Sequence, residues 1–478
     1  MLRGGDPYRI EPLRTCEHAF GLAASEPAWA ATPFCLPPYT AALLAPFAVL
    51  DPQLGRTLWF LLIVLATCVT GIALAKILNR SAFAVTLVLA PTVGLLNLHY
   101  GETVPFAITA VALAALAVQR RAPVTAALAA AAALLEPAIG LPAVVGMFVL
   151  VPKTRGMLLV FAGILGAFSV VAFGFARNLE YLVAFLPAHE AAELLARDQY
   201  SLTHLAFLAG ASPQLAARLG SMSYVLAIAT GVISARRVGT RMSLPALFVL
   251  LPVGVSMLGG PFVHDVEIAA ALPAALLLAR DSWLARCTVA FLAVDWTEAL
   301  RRAVVPVVGA AAGAALLFVK GKPQHRMLYV LVAAVTVLGL HALLPQSPSY
   351  VSIIRGQPEP AISAHALTPV AWGWRIRLDA SLNRVALADQ LRKVPTWFAL
   401  ALLPLALSPF ALRGRELRQA YPLRRSPVPS TLRTVELAPR RVRGRAQRGT
   451  RAHGKGSSEA AGASGASALR SGEPDSTS

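Results

Sequence analysis

Two long apolar runs constrain this chain more than any other feature. Residues 156–176 contain no charged side chain, and residues 54–77 carry charges only near their ends, at Arg56 and Lys76. A helix needs about 20 consecutive apolar residues to cross the hydrocarbon core of a bilayer. Only 14% of all residues are charged, whereas ordinary soluble domains have about a quarter. The sequence therefore predicts an integral membrane protein of the all-α class.

Further apolar stretches raise the expected number of transmembrane helices to about 12–13. The candidate spans are residues 54–77, 82–96, 103–118, 124–135, 138–151, 156–176, 219–233, 244–258, 266–279, 283–294, 304–319, 328–344 and 394–412. Lys and Arg cluster in the short connections at 76–80, 120–121, 153–155, 236–241 and 320–326. Positive charge is enriched in cytoplasmic loops, so these turns are predicted to lie inside. The connections 99–102, 177–218, 259–265 and 345–393 are then extracytoplasmic, together with the N-terminal segment.

Two regions predict interrupted helices. Residues 124–135 and 138–151 are each too short to cross alone and meet at Glu136 and Pro137. We expect a broken pair of half-helices, because irregular backbone at membrane depth must be buried in protein or line a cavity. Residues 33–52 contain paired prolines followed by a short apolar stretch, which indicates an interfacial or re-entrant helix.

The positive charge is concentrated near the C-terminus. Residues 413–478 hold 14 Lys and Arg and 5 Asp and Glu, so their net charge is +9. This is nearly half of the formal net charge of +19 for the whole chain. This segment is otherwise rich in Gly, Ser and Ala, a composition that predicts a disordered tail. In the cytoplasm its basic part would attract anionic membrane lipids. Aromatic residues do not interleave with its arginines, so nucleic-acid binding is not expected.

The four cysteines divide into two kinds. Cys68 and Cys287 lie in apolar stretches and are predicted to be small buried side chains. Cys16 and Cys35 flank the polar N-terminal segment, where an oxidising compartment would permit a disulfide bond. Two free thiols are the alternative.

Ionisable residues at membrane depth are costly and by default indicate a functional site. Five polar groups lie on the predicted outer side: Asp6, Glu11, Arg14 and Glu17; His99, Tyr100 and Glu102; Glu136; Arg197, Asp198, Gln199 and His204; and His264, Asp265 and Glu267. A solvated loop, a helix cap or an interface anchor would explain any one of them. Their repetition favours an outward-facing polar cavity.

Soluble-enzyme motifs are missing from the sequence. It contains no glycine-rich phosphate loop, no HExxH, no GxSxG and no Cys/His cluster with zinc spacing. The predicted cytoplasmic loops are also too short to build a nucleotide site. Two classes of function remain: a reaction on a lipid-linked substrate, and transport.

The segment PPYTAALLAPFAVLDPQLGRTLWFLLIVLATCV, residues 37–69, resembles the integral membrane glycosyltransferases of family 87, in the GT-C superfamily. Four later segments are similar to that family in the same order: HYGE, AALAAAAALLEPAIGLP, RDQYSLTHLAFLA and GGPFVHDVEIAAALPAALLL. The resemblance covers about residues 4–280. Glu102 stands where the family has Gln, and Glu136 stands where it has Lys.

The resemblance implies a GT-C-like bundle over residues 1–412, with extracytoplasmic segments at 1–53 and 345–393 ahead of the tail at 413–478. It implies transfer of a hexose or pentose, of mannose or arabinose type, from a polyprenyl-phosphate donor to a lipid or glycan acceptor, without a nucleotide, metal or other cofactor. The family's general base is an acid in the first outer loop, here Asp6, with Glu11 and Glu17 behind it. Arg14, Arg197 and His264 are candidates for the phosphate.

The remaining predicted substrate-binding residues are Tyr39, His99, Tyr100, Glu102, Glu136, Asp198, Gln199 and Asp265. Two other functions stay open at this point. A transporter or flippase for a lipid-linked solute would also use a broken helix and intramembrane acids. A degenerate, non-catalytic membrane scaffold would explain the negative charge of Glu136.

Overall fold

The computed structural model describes residues 6–11, 13, 15, 34–196, 198–294, 304–343, 362–383 and 387–405. Its helices, numbered in chain order, are α1 (Pro38–Leu44), α2 (Pro52–Leu78), α3 (Ala82–Leu89), α4 (Asn97–Tyr100), α5 (Val104–Gln119), α6 (Pro123–Ala132), α7 (Pro137–Leu150), α8 (Arg155–Phe173), α9 (Phe175–Glu180), α10 (Leu186–Glu193), α11 (Leu202–Leu208), α12 (Pro213–Arg241), α13 (Leu247–Ser256), α14 (Asp265–Ile268), α15 (Leu272–Leu278), α16 (Trp283–Leu292), α17 (Val304–Phe318), α18 (Pro323–Leu343), α19 (Thr368–Asn383) and α20 (Leu387–Leu405). Two π-helical turns, Ala90–Leu96 and Tyr181–Phe185, continue α3 and α9.

These residues contain no β-strand, and their extended pairing is limited to two isolated antiparallel bridges, Arg9 with Leu367 and Gln199 with His264. The expected all-α class is therefore confirmed for the described part of the chain. The predicted tail at 413–478 lies outside the described residues.

Four described helical runs are long and apolar enough to cross a membrane. They are Pro52–Leu78, Ala82–Tyr100, Pro152–Phe173 and Pro213–Arg241, counted with the helical turns that adjoin α3 and α8. Six shorter apolar helices of 10–17 residues accompany them. Membrane-crossing length and composition are thus present, as the apolar runs predict.

Two helices extend beyond their predicted spans. The predicted span 219–233 lies inside α12, whose N-terminus is capped by the hydroxyl of Ser212. The predicted span 394–412 begins too late, because α20 starts at Leu387. Lys393, expected to end an outer loop, consequently lies inside a helix and is 2% exposed. The expected loop 345–393 also contains α19. A prediction based only on the length of apolar runs does not detect helix ends that carry polar residues and pack against other parts of the protein.

The centre of the bundle is formed by α13 and α15. All residues of α15 are buried, and so are all residues of α13 except Phe248. A Cβ atom added to Gly146 of α7 would lie 2.5 Å from the carbonyl oxygen of Phe248, and one added to Gly231 of α12 would lie 2.6 Å from the Cα of Pro252. Small residues that let helix backbones approach closely drive association in membranes. These glycines thus set the distance of α7 and α12 from α13.

The chain reverses at Glu136, where the sequence predicts a broken helix. A 3₁₀ turn, Ala133–Leu135, ends the first half and Pro137 begins the second. A Cβ atom on Gly140 would lie 2.4 Å from the carbonyl oxygen of Ala133, so the two halves touch at the turn. The reversal leaves the Glu136 side chain buried among helices, with 8% exposure.

Three arginines early in a helix reach back to the end of the preceding helical segment. Their Nε atoms donate to carbonyl oxygens seven residues earlier: Arg155 to Phe148 at 2.6 Å, Arg286 to Ala279 at 2.8 Å and Arg326 to Val319 at 3.2 Å. The last carbonyls of a helix lack partners within the helix. Arg155 and Arg326 belong to the basic turns that are predicted to be cytoplasmic, so their charges also cap helix ends.

The glycine contacts predict opposite effects for two matched substitutions. We expect Gly146→Ala to destabilise the protein by about 1–3 kcal/mol, because the added methyl overlaps the backbone of α13. Gly163→Ala, on α8 where a Cβ meets nothing within 4 Å, should be neutral or stabilising by up to about 1 kcal/mol through helix propensity. Thermal unfolding in detergent measures both. Equal melting temperatures for the two variants would contradict this account of the packing.

Candidate functional site

One helix face carries a buried stripe of aromatic and polar side chains. Gly174, with φ of +77°, separates α8 from α9. From there Tyr181, Phe185, His189 and Glu193 recur every four residues and are all buried, a spacing that places them on one face. The ring of Phe185 stacks with Tyr181 at 5.5 Å and with His189 at 6.1 Å. The stripe ends at the carboxylate of Glu193.

Glu193 is the centre of a buried hydrogen-bond network. Trp372 of α19 donates its indole N–H to Oε1. Gln199 Nε2 donates to Oε2 at 3.3 Å, and His264 Nε2 lies 3.4 Å from the same oxygen. His189 Nε2 lies 4.0 Å from Oε1. Side chains from four parts of the chain therefore converge on one carboxylate.

Backbone pairing fixes Gln199 and His264 relative to each other. Besides their antiparallel bridge, the N–H of Tyr200 donates to the carbonyl of Val263 at 2.7 Å. The side-chain Oε1 of Gln199 accepts from the N–H of Val263 at 3.1 Å. This bond orients the amide so that its nitrogen lies 2.9 Å from His264 Nε2.

His264 supplies positive charge to the network. It caps α14: its backbone N–H donates to Glu267 Oε2 at 2.9 Å, and its Nδ1 lies 3.7 Å from the same oxygen. Burial lowers the pKa of His264, but hydrogen bonds with Glu193 and Glu267 outweigh burial and raise it well above the ordinary value. Burial raises the pKa of Glu193, but bonding with His264 prevails and brings it to about 2. His264, which is partly exposed, and the buried Glu193 thus form an ion pair.

Two predicted acids, Glu102 and Glu136, join this electrostatic group. Thr103 donates its hydroxyl to Glu136 Oε2 at 2.9 Å, and Glu136 interacts with the charges of Glu267, Glu102 and His264. Burial raises the pKa of Glu102 from 4.5 to about 7; His264 opposes this shift, while Glu267 adds to it. Glu102 therefore titrates near neutral pH.

A buried lysine braces the segment that carries Asp198 and Gln199. Lys393 Nζ donates to the carbonyl of Gln199 at 2.6 Å and lies 3.4 Å from His204 Nε2. His204 Nδ1 lies 2.9 Å from the carbonyl oxygen of Leu194. Burial and the charge of Lys393 lower the pKa of His204 to about 4. The neutral imidazole can therefore accept a hydrogen bond from the ammonium group.

The N-terminal acid Asp6 lies in a separate ion-pair cluster. Its Oδ2 is 3.1 Å from Arg177 Nη1 and 3.9 Å from Arg9 Nε, and its Oδ1 accepts from the N–H of Tyr8 at 3.0 Å. Arg9 also pairs with Glu180. Both oxygens of Asp6 are therefore engaged.

Tyr8 attaches this cluster to the buried stripe. Its ring lies 5.3 Å from Tyr181 and 4.8 Å from Phe185. Phe185 precedes Glu193 by eight residues, which is about 12 Å along a helix. The structure thus joins Asp6 to the far end of the stripe, whereas Glu102 and His264 belong to the group around Glu193.

The other predicted site residues take several positions. Tyr39 donates its hydroxyl to the carbonyl of Leu134 at 2.8 Å, beside the reversal at Glu136. Glu11 lies within 3.4 Å of the Thr15 hydroxyl, the His99 and Tyr100 rings meet edge to face at 4.9 Å, and Asp265 accepts from the N–H of Val266 at 2.8 Å. Arg14, Glu17, Arg197 and Cys16 lie outside the described residues.

Sequence reasoning missed Glu193 and Lys393 as members of the group. It assigned Trp372 to an outer segment that either recognises an acceptor or anchors the membrane interface, but it did not place this residue beside Glu193. Glu193 carried a usable signal, because Tyr181, Phe185, His189 and Glu193 repeat every four residues. Lys393 was assigned to a loop because the hydropathy pattern places the helix start after it. Trp372 contacts Glu193 only through the tertiary packing of α19 against α10.

Three groups here are of types that hold metal ions. One ligand atom each from Glu193, Asp198 and His264 lies within 4.8 Å of the other two. The residues come from two connections that are about 70 positions apart, so no local spacing motif encodes them.

The titration of Glu102 predicts a pH dependence of stability. Its pKa is higher in the folded protein, about 7, than its ordinary value of 4.5. This difference favours the folded state fully below pH 4.5, and the advantage is lost as the pH rises to 7. We expect the melting temperature of the wild type to fall relative to Glu102→Gln between pH 4.5 and 7. Thermal unfolding in detergent across this range measures it, and a difference independent of pH would refute the assignment.

Comparison of the chain with protein-family models, curated proteins and solved structures found no match. The residues of the site are therefore the basis for a functional assignment.

Proposed function

We propose that this protein is an integral membrane glycosyltransferase of the GT-C type, built on about 12–13 membrane spans. It transfers a hexose or pentose, of mannose or arabinose type, from a polyprenyl phosphate to a lipid or glycan acceptor on the extracytoplasmic side. The observation that carries the proposal is a carboxyl that titrates near neutrality, Glu102, grouped with a charged imidazole and a fixed indole ring. The family resemblance of residues 4–280 points to the same reaction.

The chemistry requires a base. The acceptor hydroxyl oxygen attacks the anomeric carbon, the bond from that carbon to the phosphate oxygen breaks, and the hydroxyl proton must be accepted. A general base works best when its pKa is near the working pH, and the pKa of Glu102 is about 7. Asp6, the acid that the resemblance suggests, already has both oxygens engaged. We therefore assign the role of general base, which accepts the hydroxyl proton, to Glu102, although the resembling family has Gln at this position.

Trp372 and Arg375 suit the binding of the sugar phosphate. The bond from the indole N–H to Glu193 holds the ring in place, and aromatic faces stack on sugars. The guanidinium carbon of Arg375 lies 5.2 Å from the centre of this ring. Arginine forms strong, directional hydrogen bonds with phosphate oxygens, so it is placed to receive the leaving polyprenyl phosphate.

The predicted outer segments support the sidedness. Residues 6–11 pair with 364–368, where the N–H of Ile10 donates to the carbonyl of Ala366 at 3.1 Å and that of Thr368 to Tyr8 at 2.9 Å. The bridge of Gln199 with His264 joins two further segments that are predicted to be outside. Segments that the charge pattern assigns to one side of the membrane thus contact one another.

The test compares Glu102→Gln with Asp6→Asn in purified protein supplied with a polyprenyl-phosphate mannose or arabinose as donor and with a lipid or glycan acceptor. We expect Glu102→Gln to lower kcat by about 10²- to 10⁴-fold, the usual contribution of a general base. Asp6→Asn, which removes an acid from the other end of the stripe, should retain most of the turnover. The measurement is the formation of glycosylated product.

If Asp6→Asn lowers kcat more than Glu102→Gln does, Asp6 is the general base instead of Glu102. Movement of the lipid-linked substrate across vesicles without any glycosylated product would favour the transporter. If the wild type neither forms product nor moves the lipid-linked substrate, the non-catalytic scaffold is the function that fits.

A further inference from the structure

We propose that Glu193, Asp198 and His264 bind a divalent metal ion, of the Mn²⁺ or Zn²⁺ type, next to the catalytic group. This inference deepens the proposed function, on which its role in catalysis depends. Binding of the ion itself is a property of the protein alone and can be measured without a substrate.

The distances within the trio suit a single ion. The ligand atoms of the three residues lie within 4.8 Å of one another, and Glu193 Oε2 is 3.4 Å from His264 Nε2. Zinc binds imidazole nitrogen and carboxylate oxygen at about 2.0–2.2 Å in tetrahedral sites, which separates two ligands of one ion by roughly 3.3–3.5 Å. The ligand atom of Asp198 lies no more than 4.8 Å from the other two.

The surroundings of His264 resemble those of a metal ligand. A ligating histidine usually directs its second ring nitrogen at a carboxylate or carbonyl, which fixes the ring. Here Nδ1 lies 3.7 Å from Glu267 Oε2, while Nε2 faces Glu193. The amide nitrogen of Gln199 lies 2.9 Å from the same Nε2. Histidine binds metals through an unprotonated nitrogen, so a bound ion would take the place of the proton that pairs His264 with Glu193.

The charge of the group gives a second, independent reason. Two members of the trio, Glu193 and Asp198, are carboxyls whose oxygens lie within 4.8 Å of each other, and their negative charge would repel the phosphate of the proposed donor. A divalent ion held by Glu193 and Asp198 would neutralise these carboxylates and could stabilise the departing phosphate oxygen.

Carboxylate, carboxylate and imidazole donors also limit the identity of the ion. Mg²⁺ and Ca²⁺ prefer sites made of oxygen alone, whereas imidazole suits zinc and the transition metals. Mn²⁺ and Zn²⁺ accept mixed oxygen and nitrogen ligands, so both are used as probes.

The experiment titrates Mn²⁺ into chelator-treated full-length protein in detergent and follows free Mn²⁺ by electron paramagnetic resonance. Zn²⁺ is measured in parallel by competition with a chromogenic chelator. We expect about one equivalent to bind and Asp198→Asn to weaken binding at least tenfold, because loss of a second-shell partner alone costs about 10- to 100-fold. Glu190→Gln, on α10 one turn before Glu193, is the matched control and should stay within about twofold.

Folding of each variant is checked by its size-exclusion profile and melting temperature. His264→Gln takes the place of Asp198→Asn if the latter fails to fold, with the same expected loss of affinity. Absence of binding by both metals, or binding that Asp198→Asn and His264→Gln leave unchanged, overturns the proposal.

Transfer assays with and without EDTA separate the two hypotheses. If turnover persists in EDTA and no metal binds, the glycosyltransferase proposal stands and the metal-site proposal is wrong. If the protein binds metal in a way that depends on Asp198 but shows no turnover, the metal-site proposal stands and the proposed reaction is wrong.

Discussion

A carboxylate withdrawn from water must be matched by hydrogen-bond donors or by positive charge, and Glu193 imposes this requirement on the chain segments that pack around it. Its side chain is 5% exposed. The indole of Trp372, the amide of Gln199 and the imidazole of His264 meet the requirement together. Removal of any one partner leaves a buried charge with fewer donors, which is costly at low dielectric. The positions of three distant chain segments are therefore linked through one side chain.

The helix that carries Glu193 links this network to the N-terminal segment. Tyr8 packs on Tyr181 and Phe185, and the same stripe continues through His189 to Glu193. The two ends of the stripe differ in electrostatic character. Asp6 is paired with arginines at one end, whereas the other end gathers several carboxyls around one imidazole. This contrast explains why the acid suggested by family resemblance and the acid suggested by the structure are different residues.

The all-α class and four helical runs of membrane-crossing length could be predicted from the sequence, because length and apolarity determine which helices can enter a bilayer. The break at Glu136 followed from two short runs and a proline, and the grouping of Glu102 with His264 followed from the repetition of polar residues on predicted outer segments. Trp372 and Lys393 could not be placed in this way. Their contacts depend on how α19 and α20 pack, and local pattern carries no information on packing between helices about 200 residues apart. For the same reason a trio that includes Glu193 and His264 escapes any search for metal-binding motifs.

The pairing of residues 8–10 with 364–368 and the burial of Lys393 against Gln199 also bear on how the protein is made. Synthesis proceeds from the N-terminus, and early regions begin to fold before later ones exist. Until the ribosome has delivered α19 and α20, the chain holds Glu193 without its indole partner and Gln199 without its lysine. The packing around Glu193 and Gln199 is thus completed only after α19 and α20 have been synthesised. Nascent chains that stop short of Lys393 would present these uncompensated polar groups to the cell's membrane-protein quality control.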